Sequence, residues 1–187
     1  MSVNKLLVFC LEKPDDFPYY PPIEIARSLA ERDFGPRVDV HVEVLPRHQE
    51  EAPQTALEWV RKTEPTHIIV LTFEALQMEI VLYRYLSNTG SLPEAPEVLI
   101  SSAEFLKLFS FWQKRKEKSL AHVLVGIHPN TDFENDLAFQ LHHLCFPQVG
   151  QIGLMGIPPF AEEHEFLRPV VLEESVFRLL SELASSR

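Results

Sequence analysis

Cysteine and glycine are both scarce in this sequence, at 2 and 6 of 187 residues. Two thiols, Cys10 and Cys145, cannot staple a chain of this length, so a disulfide scaffold is excluded and both read as reduced, buried small hydrophobes. So few glycines leave little backbone for cradling phosphate. GxGxxG and GxxxxGK[ST] are absent, as are CxxC pairs, HExxH and GxSxG, and with them go the usual signatures of nucleotide, zinc and serine-hydrolase chemistry. No apolar run reaches the roughly 18 to 20 residues of a membrane span, so membrane insertion is not expected. The LLVFC string near the N-terminus is too short for the apolar part of a secretion signal and reads as a first strand. Positive charge is also short: 17 Lys and Arg against 27 Asp and Glu give a formal charge of -10 and a pI of 5.2. Phosphate backbones and anionic lipid are repelled by such a surface, and nucleic acid is not an expected partner. The basic cluster Lys114, Arg115, Lys116 and Lys118, interrupted by Glu117, reads as a solvated helix end, with an anion site as the alternative.

What is present is the balance of one ordinary soluble domain spanning 1–187: 45% hydrophobic, 24% charged, 10% aromatic, with no internal repeat and no low-complexity tract. Apolar runs of strand length alternate with helical patterns. This predicts an α/β fold, a three-layer sandwich with a mostly parallel twisted sheet, helices on both faces and right-handed crossovers. Strands are expected at Lys5 to Cys10, Val38 to Leu45, His67 to Thr72, Met78 to Leu86, Ala121 to Ile127 and Gln151 to Ile157. Val38, Val40, Val42 and Val44 alternate with Asp39, His41 and Glu43, the pattern of a half-exposed strand, whereas His67 to Thr72 has no alternation and reads as central. Helices are expected from Pro22 to Ala30, over a second segment whose end is Ala56 to Lys62, from Ser101 to Lys118, from Asn135 to Cys145 and from Glu173 to Ala184. The predicted core comprises Leu6, Val8, Ile25, Leu29, Ile69, Leu71, Leu124, Val125, Phe139, Leu141, Ile152, Leu154, Val176 and Leu179.

Residues that carry site chemistry do not assemble into a known constellation. His142 and Cys145 share a helix face at i, i+3, but two ligands do not make a zinc site, and one buried Cys beside a surface His is the plainer reading. His164 sits among Glu162, Glu163 and Glu165 as a solvated acidic loop. Asp132, Glu134 and Asp136 lack the ligand spacing and turning glycine of a calcium loop, and acids at a helix N-terminus are explained by its dipole. No metal and no cofactor is implied. One rebuilt acid-base site is conceivable from His128, in a loop beyond a parallel strand, with Glu134 and Asp136.

Several strings together resemble the pyroglutamyl-peptidase I family, cysteine peptidases that remove N-terminal pyroglutamate. HVEVLP, ending at Leu45 and Pro46, is similar to the family's second strand. Glu64, Pro65, Thr66, His67, Ile68 and Ile69 resemble its Pro-Asp-x-Val-Ile entry to the central strand. Of its Gly-Phe-x-Pro-Phe-Gly loop and the Asn-Pro-Ser that follows, only the Pro before the first helix survives, in Tyr20, Pro21 and Pro22. The family's Ile-x-x-Glu-Arg-x-Ala-x-Asn string is matched by Ile80, Arg84 and Asn88, with Tyr83 at the catalytic glutamate position. Its Ala-Gly-x-Tyr-x-Cys-Asn string resembles NTDFEND, with Phe133 for Tyr, Asn135 for the nucleophile and Asp136 for Asn. Its Phe-Ile-His-Val-Pro strand resembles Leu154 to Pro158, with Gly156 at the general base. The resemblance implies the family's fold with all three catalytic positions vacated. Cys145 lies ten residues beyond Asn135, about 15 Å along a helix, and cannot stand in for the nucleophile.

A retained fold with an emptied site leads us to expect a binding or structural subunit of a homo-oligomer or larger assembly, with protein partners or self-association. An active amide hydrolase using the rebuilt site is the alternative. The expected contact residues are Phe17, Tyr19 and Tyr20 in the FPYYPP loop and Phe111 and Trp112 in LKLFSFWQ, large rings of the kind that anchor interfaces. The opposite possibility is that these rings cover the vacated pocket from inside. Two reduced thiols place the protein in a reducing intracellular compartment, the cytoplasm first and an organelle matrix second.

Overall fold

The computed structural model describes residues 2–75, 78, 80–84, 132–145, 148–149 and 151–185. Strand β1 (Asn4–Leu11) shows why a sheet lies at the centre: Leu6, Val8 and Cys10 join one buried cluster, while Leu7, Phe9 and Leu11 join another. Successive side chains of a strand point to opposite faces, so an unbroken apolar run requires cover on both. Helices α1 (Pro21–Ala30) and α4 (Pro169–Ser185) supply it on the first face, α2 (Glu51–Thr63) and α3 (Asp132–Cys145) on the second. The α/β three-layer arrangement expected from the sequence is the one observed.

The remaining strands are β2 (Val38–Leu45), β3 (His67–Phe73), β4 (Val81–Arg84) and β5 (Gln151–Ile157), in the order β2-β1-β3-β5-β4. All pairings are parallel except β4 with β5, where Val81 lies opposite Gly156 and Tyr83 opposite Leu154. Every residue of β3 is buried, as a central strand with no polar alternation requires. Pro21 and Pro22 open α1, where a missing N–H costs nothing and a fixed φ is already helical. Helix α2 starts on His48, whose Nδ1 accepts from the N–H groups of Glu50 and Glu51 at 3.4 Å. It stops at Glu64, which takes a left-handed φ of 49° just before Pro65.

Four expectations are corrected. Of the strand placed at Met78 to Leu86, Met78 and Ile80 lie outside it and Val81–Arg84 form it, running antiparallel to β5 at the edge of the described sheet. The last helix begins at Pro169 rather than Glu173, because Pro169 serves as a helix-opening residue and the β-branched Val170 and Val171 follow it in the first turn. Phe139 is half-buried: the buried line of α3 is Leu137, Ala138, Leu141 and Cys145, and Phe139 falls off it to stack on His143. Val44, expected on the apolar side of β2 with Val38, Val40 and Val42, is 44% exposed, on the strand that lies at the edge of the described sheet. The other described members of the predicted core are buried. The strand expected at Ala121 to Ile127, the helix from Ser101 to Lys118 with its basic cluster, and core residues Leu124 and Val125 lie outside the described residues.

Candidate functional site

Strand β1 has β2 on one side and β3 on the other. The chains leaving β1 and β3 therefore diverge, and such a point at the carboxyl edge of a parallel sheet is where α/β proteins open a crevice. The loop after β1, Arg47 just beyond β2, Glu74 just beyond β3 and the first turn of α3 all meet at this edge.

Three polar side chains from far apart in the sequence interlock there. The Tyr20 hydroxyl donates to Glu134 Oε1 at 2.5 Å, and Arg47 Nη2 donates to the same oxygen at 2.5 Å and to the Tyr20 hydroxyl at 3.2 Å. Arg47 Nε is held by the carbonyl of Glu12 at 2.6 Å. The guanidinium also lies over the rings of Tyr20 and Phe133, at 5.4 and 5.8 Å from their centroids, a geometry that favours a cation. Glu134 occupies the first turn of α3, the positive end of the helix dipole. Burial opposes the charge on Arg47, but the hydrogen bond and negative charge of Glu134 outweigh it and hold the guanidinium more firmly protonated than usual. Burial, and then the neighbouring carboxylate, push the Tyr20 phenol far up, so it stays a neutral donor. Behind this cluster lies Cys10, whose thiol is likewise raised by burial and by the charge of Glu134. A thiol in such surroundings is protonated and inert.

The aromatic loop closes over the cluster. Phe17, Tyr19 and Tyr20 all meet Phe73 edge-on, at centroid distances of 5.6, 6.2 and 6.0 Å. Tyr20 is buried, Phe17 half-buried and Tyr19 45% exposed. Tyr20 is thus a core residue rather than a surface anchor, and of the three rings only Tyr19 presents much area to solvent. A second filling of the crevice comes from Glu74, which is buried and whose backbone N–H bonds the Ile157 carbonyl at 2.8 Å. Its side chain crosses Gly156 so closely that a Cβ there would sit 2.3 Å from Glu74 Cγ.

The predicted site residues separate accordingly. Glu134 is buried in the ion pair, while Asp136 is exposed, since i and i+2 on a helix point about 200° apart. His128, Phe111 and Trp112 lie outside the described residues. Tyr83 and Gly156 are placed on neighbouring strands, β4 and β5, and Asn135 in the first turn of α3. The surface position expected for His142 is corrected: His142 and Cys145 are both buried on one side of α3, and His143 is the exposed one. Arg47 and Glu74 escaped the sequence reading. The available signal for both was position alone, a charged residue one or two places beyond the end of a strand of a parallel sheet.

No family model matches the sequence, and no curated protein does. Solved structures do. Pyrrolidone carboxyl peptidase from Thermococcus litoralis superposes with a TM-score of 0.64 at 14% identity, over 97% of this chain and 94% of that one. Pyroglutamyl peptidase I from Bacillus amyloliquefaciens gives 0.61 at 16% identity, over 98% and 96%. Pyrrolidone carboxyl peptidase from Pyrococcus furiosus gives 0.58 at 18%, over 96% and 97%. At these identities the likeness establishes a shared fold, which agrees with the resemblance drawn from the sequence.

Proposed function

We propose that this protein is a catalytically silent relative of the pyroglutamyl peptidases that serves as a binding or structural subunit, either of a homo-oligomer or of a larger assembly. The observation that carries this reading is Gly156. Where the family resemblance places a histidine base, the space a side chain would need is filled by Glu74. Tyr83 and Asn135 at the other two family positions supply neither a carboxylate nor a thiol, and covalent thiol catalysis needs a nucleophile with a base beside it. Neither cysteine substitutes: Cys10 and Cys145 are both buried, and burial raises both thiols. A rebuilt site from His128, Glu134 and Asp136 is disfavoured, because Glu134 Oε1 is already engaged by two donors and Asp136 faces solvent. The buried thiols suit a reducing intracellular compartment.

The test is release of a fluorophore from a pyroglutamyl amide by the purified protein. We expect none above buffer. Turnover that disappears on Cys145→Ala, or on Asp136→Asn, would overturn the reading in favour of a working hydrolase.

A further inference from the structure

We infer that two copies of this chain pair edge to edge through β2, antiparallel about a two-fold axis at Val42, joining two sheets into one. The inference rests on the reading of the protein as an assembly subunit and names the surface and the partner.

The direction of the backbone groups sets the first constraint. Asn4 N–H bonds the carbonyl of Arg37 at 3.0 Å and Glu12 N–H bonds that of Leu45 at 2.9 Å, so the odd-numbered residues of β2 turn their peptide groups towards β1. A strand alternates, and Val40, Val42 and Val44 therefore present their N–H and C=O groups outwards. No described strand pairs with them. Three of the devices that usually blunt such an edge are absent from VDVHVEVL, which has no proline, no lysine and no bulge against β1; its charges are Asp39 and Glu43. Val44 adds an exposed apolar side chain at this edge.

Charge selects the partner and the register. With the axis at Val42, Val42 meets its own copy and Val40 meets Val44 of the second copy, each as a pair exchanging two hydrogen bonds. The intervening close pairs, with Cα atoms about 4.5 Å apart, then set His41 against Glu43 and Glu43 against His41. Within one chain His41 Nε2 and Glu43 Oε1 already lie 2.8 Å apart, so the joined strands would carry an alternating row of imidazoles and carboxylates. Moving the axis to His41 sets Asp39 against Glu43, and moving it to Glu43 opposes two glutamates. Like charges directly opposite are destabilising. An axis at Val40 leaves Val44 uncovered, and an axis at Val44 sets Val42 against Pro46, which has no N–H to donate. The self-complementary register is the one that satisfies the outward peptide groups, the charges and the exposed valine together, as an isologous two-fold contact does.

The experiment is multi-angle light scattering of the full chain at 0.15 M salt, where the net charge of -10 is screened beyond about 8 Å. A second arm is oxidative cross-linking of Val42→Cys. We expect a mass twice the 21.5 kDa of one chain, a dimer weakened about tenfold or more by Val44→Lys with unchanged far-UV circular dichroism, and a disulfide-linked dimer from Val42→Cys. Val170→Cys, on an exposed residue of α4, is the control and should cross-link much more slowly. A monomer at all concentrations overturns the inference. So does a dimer that is indifferent to Val44→Lys and does not cross-link through Val42→Cys; that result places self-association on another surface and leaves the subunit reading intact. Hydrolysis of a pyroglutamyl amide, by contrast, fails that reading whatever the mass.

Discussion

Replacing Glu134 with alanine strands the Arg47 guanidinium and takes the acceptor away from the Tyr20 hydroxyl, both in the interior. The Glu134 side chain is 3% exposed and that of Arg47 20%, so the pair belongs with buried ion pairs, for which loss of one partner costs about 3–5 kcal/mol. Arg47 keeps the Glu12 carbonyl on Nε and has some access to water, which brings the expectation to the low end, roughly 3 kcal/mol. For a chain of this size each kcal/mol moves the midpoint of thermal unfolding by about 2–4 °C, giving a fall on the order of 6–12 °C. Urea unfolding followed by circular dichroism measures the free energy directly. Glu134→Gln keeps an acceptor for Tyr20 and should cost less than alanine. The decisive comparison is a cycle with Arg47→Met: the double variant Glu134→Leu with Arg47→Met leaves no charge stranded and should be more stable than Glu134→Leu alone. If Glu134→Ala lies within about 1 kcal/mol of the parent, or if the double variant costs the sum of the two singles, the cluster is not the coupled buried array described above.

Gly156→Ala should destabilise by roughly 1–3 kcal/mol through overpacking, because its Cβ collides with Glu74 Cγ; Glu74→Ala should relieve most of that penalty, and equal costs in both backgrounds would refute the contact. The pH dependence of stability should carry a contribution from His142, whose imidazole is held below its usual range by burial and by the neighbouring His143. Folding favours the neutral ring, so this stabilisation is complete above the unfolded value near 6.5 and is lost as pH falls through the lower folded value. His142→Gln should flatten the decline between about pH 7 and pH 5, and identical slopes in parent and variant would contradict it.

The parallel sheet and its two helical layers were legible in the residues because they follow from local chemistry. β1 holds the apolar run Leu6 to Leu11 and β3 the run Ile68 to Leu71 with no polar alternation, which fit a buried strand, and Val38 to Val44 has period two. Proline before a helical stripe located the start of α1. The resemblance that sets Tyr83, Asn135 and Gly156 against the family's catalytic positions rested on short strings of similar spacing. What the chain could not reveal locally is which side chains share a site. Tyr20, Arg47 and Glu134 are separated by 27, 87 and 114 residues pairwise, and each alone resembles a surface residue of a loop or helix end. They become a buried cluster because parallel connections deliver the loops after β1 and β2 and the first turn of α3 to one edge of the sheet. The same holds for Glu74 and Gly156: a glycine in a strand announces a close approach, but the register of β3 with β5 decides that a carboxylate side chain makes it. Sequence determined the layers, since burial follows from the periodicity of each segment; tertiary structure decided the contents of the crevice, since those depend on the order and register in which the segments pack.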